Sequence, residues 1–134
     1  MGEPKSTKEI IERFGGLDRF KGFSRPNTTP TPDELFDLFL TELTHAELKV
    51  LLYIVRRTFG FKKDADRISL SQIVRGIKTK EGKQLDRGAG VTKKTAILAI
   101  KRLEERGLIE VTRSRTEDGY NEVNLYRLRF QDDR

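Results

Sequence analysis

The segment from Val91 to Leu108 has apolar residues at regular spacing, and it begins with threonine and lysine side chains. Thr92 is a predicted helix N-cap, because its hydroxyl can accept an amide hydrogen bond from the first turn, and Gly107 is a predicted residue just past the helix end. Lys93 and Lys94 fall in the first turn, where each positive charge costs roughly 0.3–1 kcal/mol against the helix dipole unless an anion lies nearby. Helix N-termini bind phosphate groups, so this spacing indicates phosphate recognition.

The two faces of this predicted helix differ in chemistry. The inward face is predicted to consist of apolar residues, namely Ala96, Ala99, Ile100 and Leu103. The outward face is predicted to carry mostly charged residues, namely Lys94, Leu98, Lys101 and Glu105. A helix tip that carries Thr92, Lys93, Lys94 and Thr95 can enter the major groove of DNA. The alternative is a surface helix with ordinary solvated lysines.

The composition limits the chemistry of the chain. Its 27 lysines and arginines exceed its 21 aspartates and glutamates, and the net charge of +6 with a pI near 9.7 favours an anionic partner such as nucleic acid. The chain has no cysteine, which excludes disulfides and thiolate zinc sites. Its single histidine, His45, excludes a histidine-rich metal site. We find no catalytic Ser, His and Asp constellation and no nucleotide-binding loop motif, so we expect no enzyme activity, no metal and no cofactor.

The hydropathy pattern argues against a membrane protein. The chain has no apolar run near 18 residues, and its N-terminus lacks the apolar core of a signal peptide. We therefore expect a soluble, cytoplasmic protein without a membrane partner. A length of 134 residues suits one domain.

Residues 1–22 are predicted to form an N-terminal arm. Ser6 and Glu9 match a capping box before the short apolar stripe of Ile10, Ile11 and Phe14. So short a helix is not stable alone, so the arm is expected to be disordered, to dock on the domain or to mediate dimerisation. Lys21 and Arg25 flank an extended, proline-containing piece that is free to lie along a DNA backbone.

Three further capping boxes predict three helices before residue 78. They pair Thr31 with Glu34, Thr44 with Glu47, and Ser69 with Gln72. The predicted helices run to about Leu43, to Arg57 or Thr58, and to about Gly76. The middle helix is predicted to be central, with Leu48, Leu51, Leu52 and Val55 on one apolar stripe and Val50 and Ile54 on another. In the short third helix Leu70, Ile73 and Val74 are predicted to face inward.

The connections carry charged residues. Asp64 and Asp66 precede a predicted strand at 67–69 and are interpreted as a solvated turn, because no third metal ligand accompanies them. Residues 78–90 are basic and rich in glycine, and they lengthen the usual short helix-turn-helix connection. This insertion is interpreted either as a flexible solvated loop or as a phosphate-contacting loop that uses Lys78, Lys80, Lys83 and Arg87.

After Gly107 the pattern changes to alternation, which predicts a β-hairpin. Ile109 and Val111 lie on one face of the first strand, and the returning strand alternates through Asn124, Tyr126, Leu128 and Phe130, with the turn at Asp118 and Gly119. The fold is thus predicted to be mainly α with a small β-hairpin, a winged helix-turn-helix. It would occupy residues 23–130 and leave residues 131–134 as a tail.

Three sequence runs carry a resemblance to a known family. These runs are FSRPNTTPTPDELFDLFL, LTHAELKVLLYIVRRTFGFKKDADRISLSQI and VTKKTAILAIKRLEERGLI. Together they resemble the N-terminal origin-binding domain of the lambda-type phage replication protein O family. The most specific part is ELKVLLYIVRRTFGFKKDADRISLSQI, because ordinary winged-helix regulators share only the later LEERGLI pattern.

The resemblance implies a replication initiator that binds double-stranded origin DNA, often as dimers on repeated sites. It would engage a replicative helicase or helicase loader through a region that these 134 residues lack. By position, the residues facing the major groove would be Thr92, Lys93, Lys94, Thr95, Leu98 and Lys101. The wing residues contacting the backbone or minor groove would be Arg113, Arg115 and Tyr120.

Two other functions fit the same pattern. A transcriptional regulator would use an identical helix, because nothing in it distinguishes an operator from an origin. A winged helix used for protein contact would instead use Ile97 and Leu98 as interface residues.

Overall fold

The computed structural model describes residues 6–13, 16–25, 27–114 and 123–131, which form helices and short strands. The α-helices are α1 (Thr7–Arg13), α2 (His45–Thr58), α3 (Leu70–Arg75) and α4 (Lys93–Glu105), and the strands are β1 (Ala65–Ser69), β2 (Ile109–Thr112) and β3 (Val123–Leu128). A π-helical turn spans Leu35–Phe39, and 3-10 turns span Leu17–Arg19 and Phe59–Phe61.

Helix α2 is the centre of the core, as its two apolar stripes predict. Its capping box is confirmed, because the Thr44 hydroxyl accepts the Glu47 N–H at 3.1 Å while the Glu47 carboxylate accepts the Thr44 N–H at 3.2 Å. Val50 and Ile54 are fully buried. The inward position predicted for Leu52 is wrong, because this side chain is 40% exposed on the side of α2 that other elements leave open. His45 is exposed, as expected.

Helix α3 and the sheet pack on α2. The Ser69 hydroxyl accepts the Gln72 N–H at 3.1 Å, which confirms the third capping box, and α3 ends at Gly76 as predicted. Leu70 and Ile73 are buried, whereas Val74 is only partly buried.

The sheet has three antiparallel strands in the order β1, β3, β2, which corrects the predicted two-stranded hairpin. The two final strands pair as predicted, with Val111 opposite Tyr126, and β1 adds to the other edge of β3, with Ile68 opposite Asn124. A two-stranded hairpin is marginally stable in water, so the third strand holds β3 against the core. Phe130 lies beyond the end of β3 and remains 42% exposed, although its ring packs 5.9 Å from that of Phe59.

A helical segment forms within the range predicted from Thr31 to Leu43, but it differs in form from the predicted α-helix, since only Asp33 and Glu34 are α-helical. The segment makes a π-helical turn at Leu35–Phe39, and no side-chain capping bond opens it. The Thr31 hydroxyl instead donates to the Thr29 carbonyl at 3.2 Å, so it does not cap. Leu35 and Leu43 are buried and Phe39 is partly buried, at positions four apart, whereas Phe36 and Leu38 are exposed.

The described part of the N-terminal arm contacts the 78–90 loop. The Thr7 N–H donates to the Gln84 carbonyl at 2.7 Å, and the Glu9 carboxylate lies 3.4 Å from the Lys83 ammonium. The Glu9 N–H donates to the Ser6 hydroxyl at 3.1 Å, which is one half of the predicted capping box.

Several predicted features lie outside the described residues, namely Phe14, Arg115, Tyr120, the Asp118–Gly119 turn and the 132–134 end of the tail. Among the helices that the structure does describe, none is long and apolar enough to cross a membrane.

Candidate nucleic-acid interface

The N-terminus of α4 is capped as the sequence predicts. The Thr92 hydroxyl accepts the Thr95 N–H at 3.2 Å, and the two threonine hydroxyls lie 2.9 Å apart in a hydrogen bond. Thr95 is therefore part of the cap as well as a predicted DNA contact. The first turn contains no acidic residue, and Lys93 and Lys94 are exposed there.

The charges of α4 oppose its dipole. At the positive N-terminal end the charged residues are lysines alone, whereas the C-terminal end carries Glu104 and Glu105 together with Arg102 and the C-cap Arg106, so the opposition is uncompensated within the helix only at the N-terminal end. Each such placement costs roughly 0.3–1 kcal/mol in an exposed helix. Helix stability alone does not explain this arrangement, whereas a phosphate at the N-terminal end would offset the cost there.

The outward face of α4 is exposed to solvent. Lys94, Leu98 and Lys101 are exposed, with Leu98 at 50%, while the inward set of Ala96, Ala99, Ile100 and Leu103 is buried as predicted. Thr95 and Arg102 lie on the flank next to α2, where with Leu98 they line a cavity of about 240 Å³. Glu104 lies on the flank next to β2, where it binds Arg113.

The segment between α3 and α4 is folded, which contradicts the flexible-loop interpretation for the 78–90 insertion. The Tyr53 hydroxyl lies 3.1 and 3.2 Å from the two carboxylate oxygens of Asp86, and one of those oxygens accepts the Gly88 N–H at 2.8 Å. The Ala89 N–H donates to the Ile73 carbonyl at 2.7 Å. These bonds attach the insertion to α2 and α3.

The amide of Gln84 organises the start of the insertion. It donates to the carbonyls of Arg75 at 2.9 Å, Ile77 at 3.2 Å and Asp86. The insertion also folds on itself, since residues 78 and 84 form a β-bridge. A loop held in this way presents its cations in a defined arrangement.

The four basic residues of the insertion do not share one environment. Lys78, Lys80 and Arg87 are exposed, whereas Lys83 is partly buried and forms its ion pair with Glu9 of the arm. The structure thus places three of the four predicted backbone-contacting residues of the insertion on the open surface. Lys21 and Arg25 are exposed in the extended segment that follows the arm.

Burial determines the protonation state of the Tyr53 hydroxyl, which binds the insertion through Asp86. Desolvation raises the pKa of Tyr53 to about 12, although the hydrogen bond from Arg57 works in the opposite direction. The neutral phenol is therefore the form that the fold favours, and as a donor it binds the Asp86 carboxylate.

Behind this contact, Arg57 makes a buried network. Its guanidinium donates to the Tyr53 hydroxyl at 3.3 Å, to Gln72 at 3.2 Å and to the Arg67 carbonyl at 3.3 Å, and it forms a 3.0 Å ion pair with Asp66. Asp66 is therefore not the solvated turn residue that the sequence suggested. The network joins α2, β1 and α3, the elements behind α4.

The base of the hairpin is attached to α4. Arg113 makes a two-pronged contact with the Glu104 carboxylate, with one N–O distance of 3.0 Å, and the Ser114 N–H donates to Asn124 at 3.1 Å. Arg113 therefore has a carboxylate partner that the prediction of a DNA contact did not include.

Sequence reasoning missed Lys49 of α2. Its ammonium lies 3.9 Å from the point where a Cβ would stand on Gly90, so it adjoins the segment entering α4. A lone cation inside the apolar run ELKVLLYIV was the available signal. Lys49 is exposed and adds a positive charge beside the α4 N-terminus.

Comparison with known families gives one match. The family model described as bacteriophage replication protein O matches residues 29–124, which is most of the chain. A search of curated proteins and a search of solved structures find no match. The family match supports DNA binding and a role in replication initiation, and this family is not a known class of enzyme.

Proposed function

Since the chain belongs to the bacteriophage replication protein O family, we propose that it recognises double-stranded DNA at a replication origin. In this proposal residues 23–130 act as a winged helix-turn-helix, with α3 and α4 as the helix pair and β2 with β3 as the wing. No enzymatic step is required of this chain.

The observation that carries the proposal is the N-terminal end of α4 together with its outward face. It combines a capped end, exposed Lys93 and Lys94, and an outward face formed by Lys94, Leu98 and Lys101, and its first turn has no acidic residue. A helix of this width fits the major groove, where its N-terminal residues meet base edges and flanking phosphates.

The remaining cations are proposed to contact the DNA backbone. Lys49 adjoins the entrance of α4, and Lys78, Lys80 and Arg87 stand on the anchored insertion. Phosphate contacts of this kind supply affinity and orientation, whereas the few base contacts of α4 supply sequence choice. Arg115 and Tyr120 of the wing are proposed to act in the same way, and Arg113 would exchange Glu104 for a phosphate.

Copies bound at repeated sites would then bend or crowd the origin and start replisome assembly in the cytoplasm. A homodimer and a replicative helicase or helicase loader are the partners proposed for that stage.

Alanine substitution at Lys94 and Lys101 tests the proposal. If Lys94 binds phosphate only, Lys94→Ala weakens binding to specific and scrambled duplexes alike and lowers the salt slope by about one unit. If Lys101 reads a base edge, Lys101→Ala costs roughly 1–3 kcal/mol on the preferred site and little on random DNA. Titrations by fluorescence anisotropy at several salt concentrations measure both effects.

Lys62→Ala is the matched control, because Lys62 is an exposed lysine beyond the C-terminal end of α2. Lys94→Ala should fold at least as stably as the natural chain, since it removes a charge that opposes the helix dipole. If both α4 variants bind every duplex as the natural chain does, α4 does not meet DNA and protein contact becomes the better function.

A further inference from the structure

Two phenylalanine rings are exposed in residues 17–25, the aromatic segment, which follows α1. Phe23 is 93% exposed and Phe20 is 43% exposed, and the two rings meet edge to face with 5.1 Å between their centres. The segment begins with a 3-10 turn, after which the Phe20 N–H donates to the Leu17 carbonyl at 3.2 Å. Folding therefore leaves the Phe23 ring in water, although burial of an aromatic ring is favourable.

Cations lie between and beside these two rings. Arg19, Lys21 and Arg25 are exposed, and none of them forms an ion pair within the described part of the chain. After Asp18 the sequence has no further acidic residue before Asp33. The aromatic segment therefore combines positive charge that no carboxylate neutralises with an open ring face.

The aromatic segment adjoins the insertion between α3 and α4. Its first residue, Leu17, lines an open cleft of about 560 Å³ between α1 and the insertion. The charged side chains described in the lining of this cleft are Lys8, Arg75, Arg87 and Glu12, so the cleft is positive as well. Arg75 and Arg87 are exposed and form no ion pair with any residue that the structure describes. A polyanion bound to the aromatic segment would therefore meet further cations in this cleft.

The exposed rings and the cations together select one class of polyanion. Cations alone attract any nucleic acid, because every backbone phosphate carries a charge. A ring face can stack only on a base that has left the duplex stack, since neighbouring bases cover both faces of a paired base. Aromatic rings interleaved with cations are accordingly the pattern that binds single strands, in which each base offers a free π-face.

We infer that the aromatic segment binds single-stranded DNA. One unpaired base stacks on the Phe23 ring, and the flanking phosphates face Lys21 and Arg25. The strand continues along the cleft towards Arg75 and Arg87. This site uses none of the residues of α4, so it adds a second ligand to the proposed recognition of duplex DNA. A chain with both sites can hold one strand where the duplex opens.

Phe23→Trp tests stacking directly, because the natural chain contains no tryptophan and the variant has a single fluorescent reporter. The probe is a thymidine homopolymer of about 12 nucleotides, within the usual size of single-strand sites. Its twin has the same length and abasic sugars throughout, so it carries the same charge without bases. The thymidine probe should quench the fluorescence of Phe23→Trp, and the abasic twin should not. Phe36→Trp is the matched control, since Phe36 is also exposed but has the acidic sequence neighbours Glu34 and Asp37, and neither probe should quench it.

Binding affinities should separate stacking from charge. The natural chain should bind the thymidine probe at least about tenfold more tightly than the abasic twin, because only the former can stack. Phe23→Ala should remove most of this difference while it keeps the circular dichroism of the natural chain, since the ring is exposed. Phe23→Ala should also keep the affinity for a duplex of mixed sequence. Lys94→Ala should weaken the duplex and leave the difference between the two probes unchanged, so failure of either site is seen by itself.

Several results would overturn the inference. One is equal binding of the thymidine probe and the abasic twin, and another is a Phe23→Trp variant whose fluorescence the thymidine probe does not quench. A loss of duplex affinity in Phe23→Ala would instead make the ring a wedge between paired bases. A dimer that sedimentation detects and Phe23→Ala dissociates would assign the ring to a second copy of the chain. Tighter binding of a uridine RNA homopolymer than of the thymidine probe would assign the segment to RNA.

Discussion

Arg56 and Arg57 are adjacent at the end of α2, but their different positions in the fold give them different contacts and different roles. Arg56 is exposed, donates to the Gly60 carbonyl at 3.1 Å and stacks over Phe61 at 4.5 Å from its ring centre. Arg57 is 7% exposed and holds Tyr53, Asp66 and Gln72. The first has a surface role, and the second joins three elements of the core.

Substituting each arginine in turn should separate these roles. Arg57→Ala should destabilise the protein by about 3 kcal/mol or more, because it removes the buried donor to Tyr53 and Gln72 and leaves the Asp66 carboxylate paired only with the exposed Lys63 ammonium. Arg56→Ala should cost no more than about 1 kcal/mol, the usual size of exposed charge and cation–π contacts. Urea unfolding measures both values, and equal losses would show that the Arg57 network does not support the core.

The Tyr53 hydroxyl should make stability depend on alkaline pH. Its pKa is about 12 in the folded chain against about 10 in an unfolded one, so the folded state favours the neutral phenol. The resulting stability is fully present below pH about 10 and is lost as pH rises from about 10 towards 12. Tyr53→Phe has no such group, so its unfolding free energy should fall less steeply in this window. Other tyrosines titrate in both chains and cancel in the comparison, and identical slopes would contradict the assignment.

At the scale of elements, the insertion between α3 and α4 depends on close backbone contact. Gly76 and Gly82 have almost the same backbone angle, with φ of 88° and 87°. A Cβ on Gly76 would stand 2.0 Å from the Asp86 carbonyl oxygen, whereas a Cβ on Gly82 would meet nothing within 4 Å. The pair therefore contrasts a closely packed glycine with an open one, both at positive φ.

Gly82→Ala should cost about 1–2 kcal/mol, the strain of a left-handed alanine. Gly76 combines φ of 88° with ψ of −178°, a backbone region essentially restricted to glycine, and Gly76→Ala must also displace the backbone at Asp86, so it should cost roughly 3 kcal/mol or more and loosen the insertion. Thermal unfolding and amide exchange at residues 76–90 measure the two effects. Equal losses in both variants would mean that the insertion is not packed as described.

At the scale of the whole molecule, DNA recognition and self-association are coupled by geometry. If the origin carries repeated or palindromic sites, two bound domains should lie about 34–36 Å apart or a multiple of it, because each must meet the same face of the duplex. The apolar residues proposed for contact between copies are Ile10, Ile11, Phe14 and Phe36. Sedimentation of free and DNA-bound protein tests this, and one domain per site at saturation would count against the dimer.

Local signals in the sequence were sufficient to predict the main helices and to identify the family. Capping residues lie within three positions of their partners, so Thr44, Ser69 and Thr92 mark the starts of α2, α3 and α4 without reference to the rest of the fold. Periodicity likewise determined the buried face of α4, because the helical repeat alone brings Ala96 and Leu103 to one side.

Tertiary structure decided the features that depend on residues distant in the sequence. The pairing of Asp86 with Tyr53 spans 33 positions, so the sequence alone left the insertion open between a flexible loop and a phosphate-contacting loop. The addition of β1 to β3, the ion pair of Asp66 and the π turn at Leu35–Phe39 were missed for the same kind of reason. Each depends on which surfaces come into contact after the helices pack, and neither residue propensity nor residue spacing predicts those contacts.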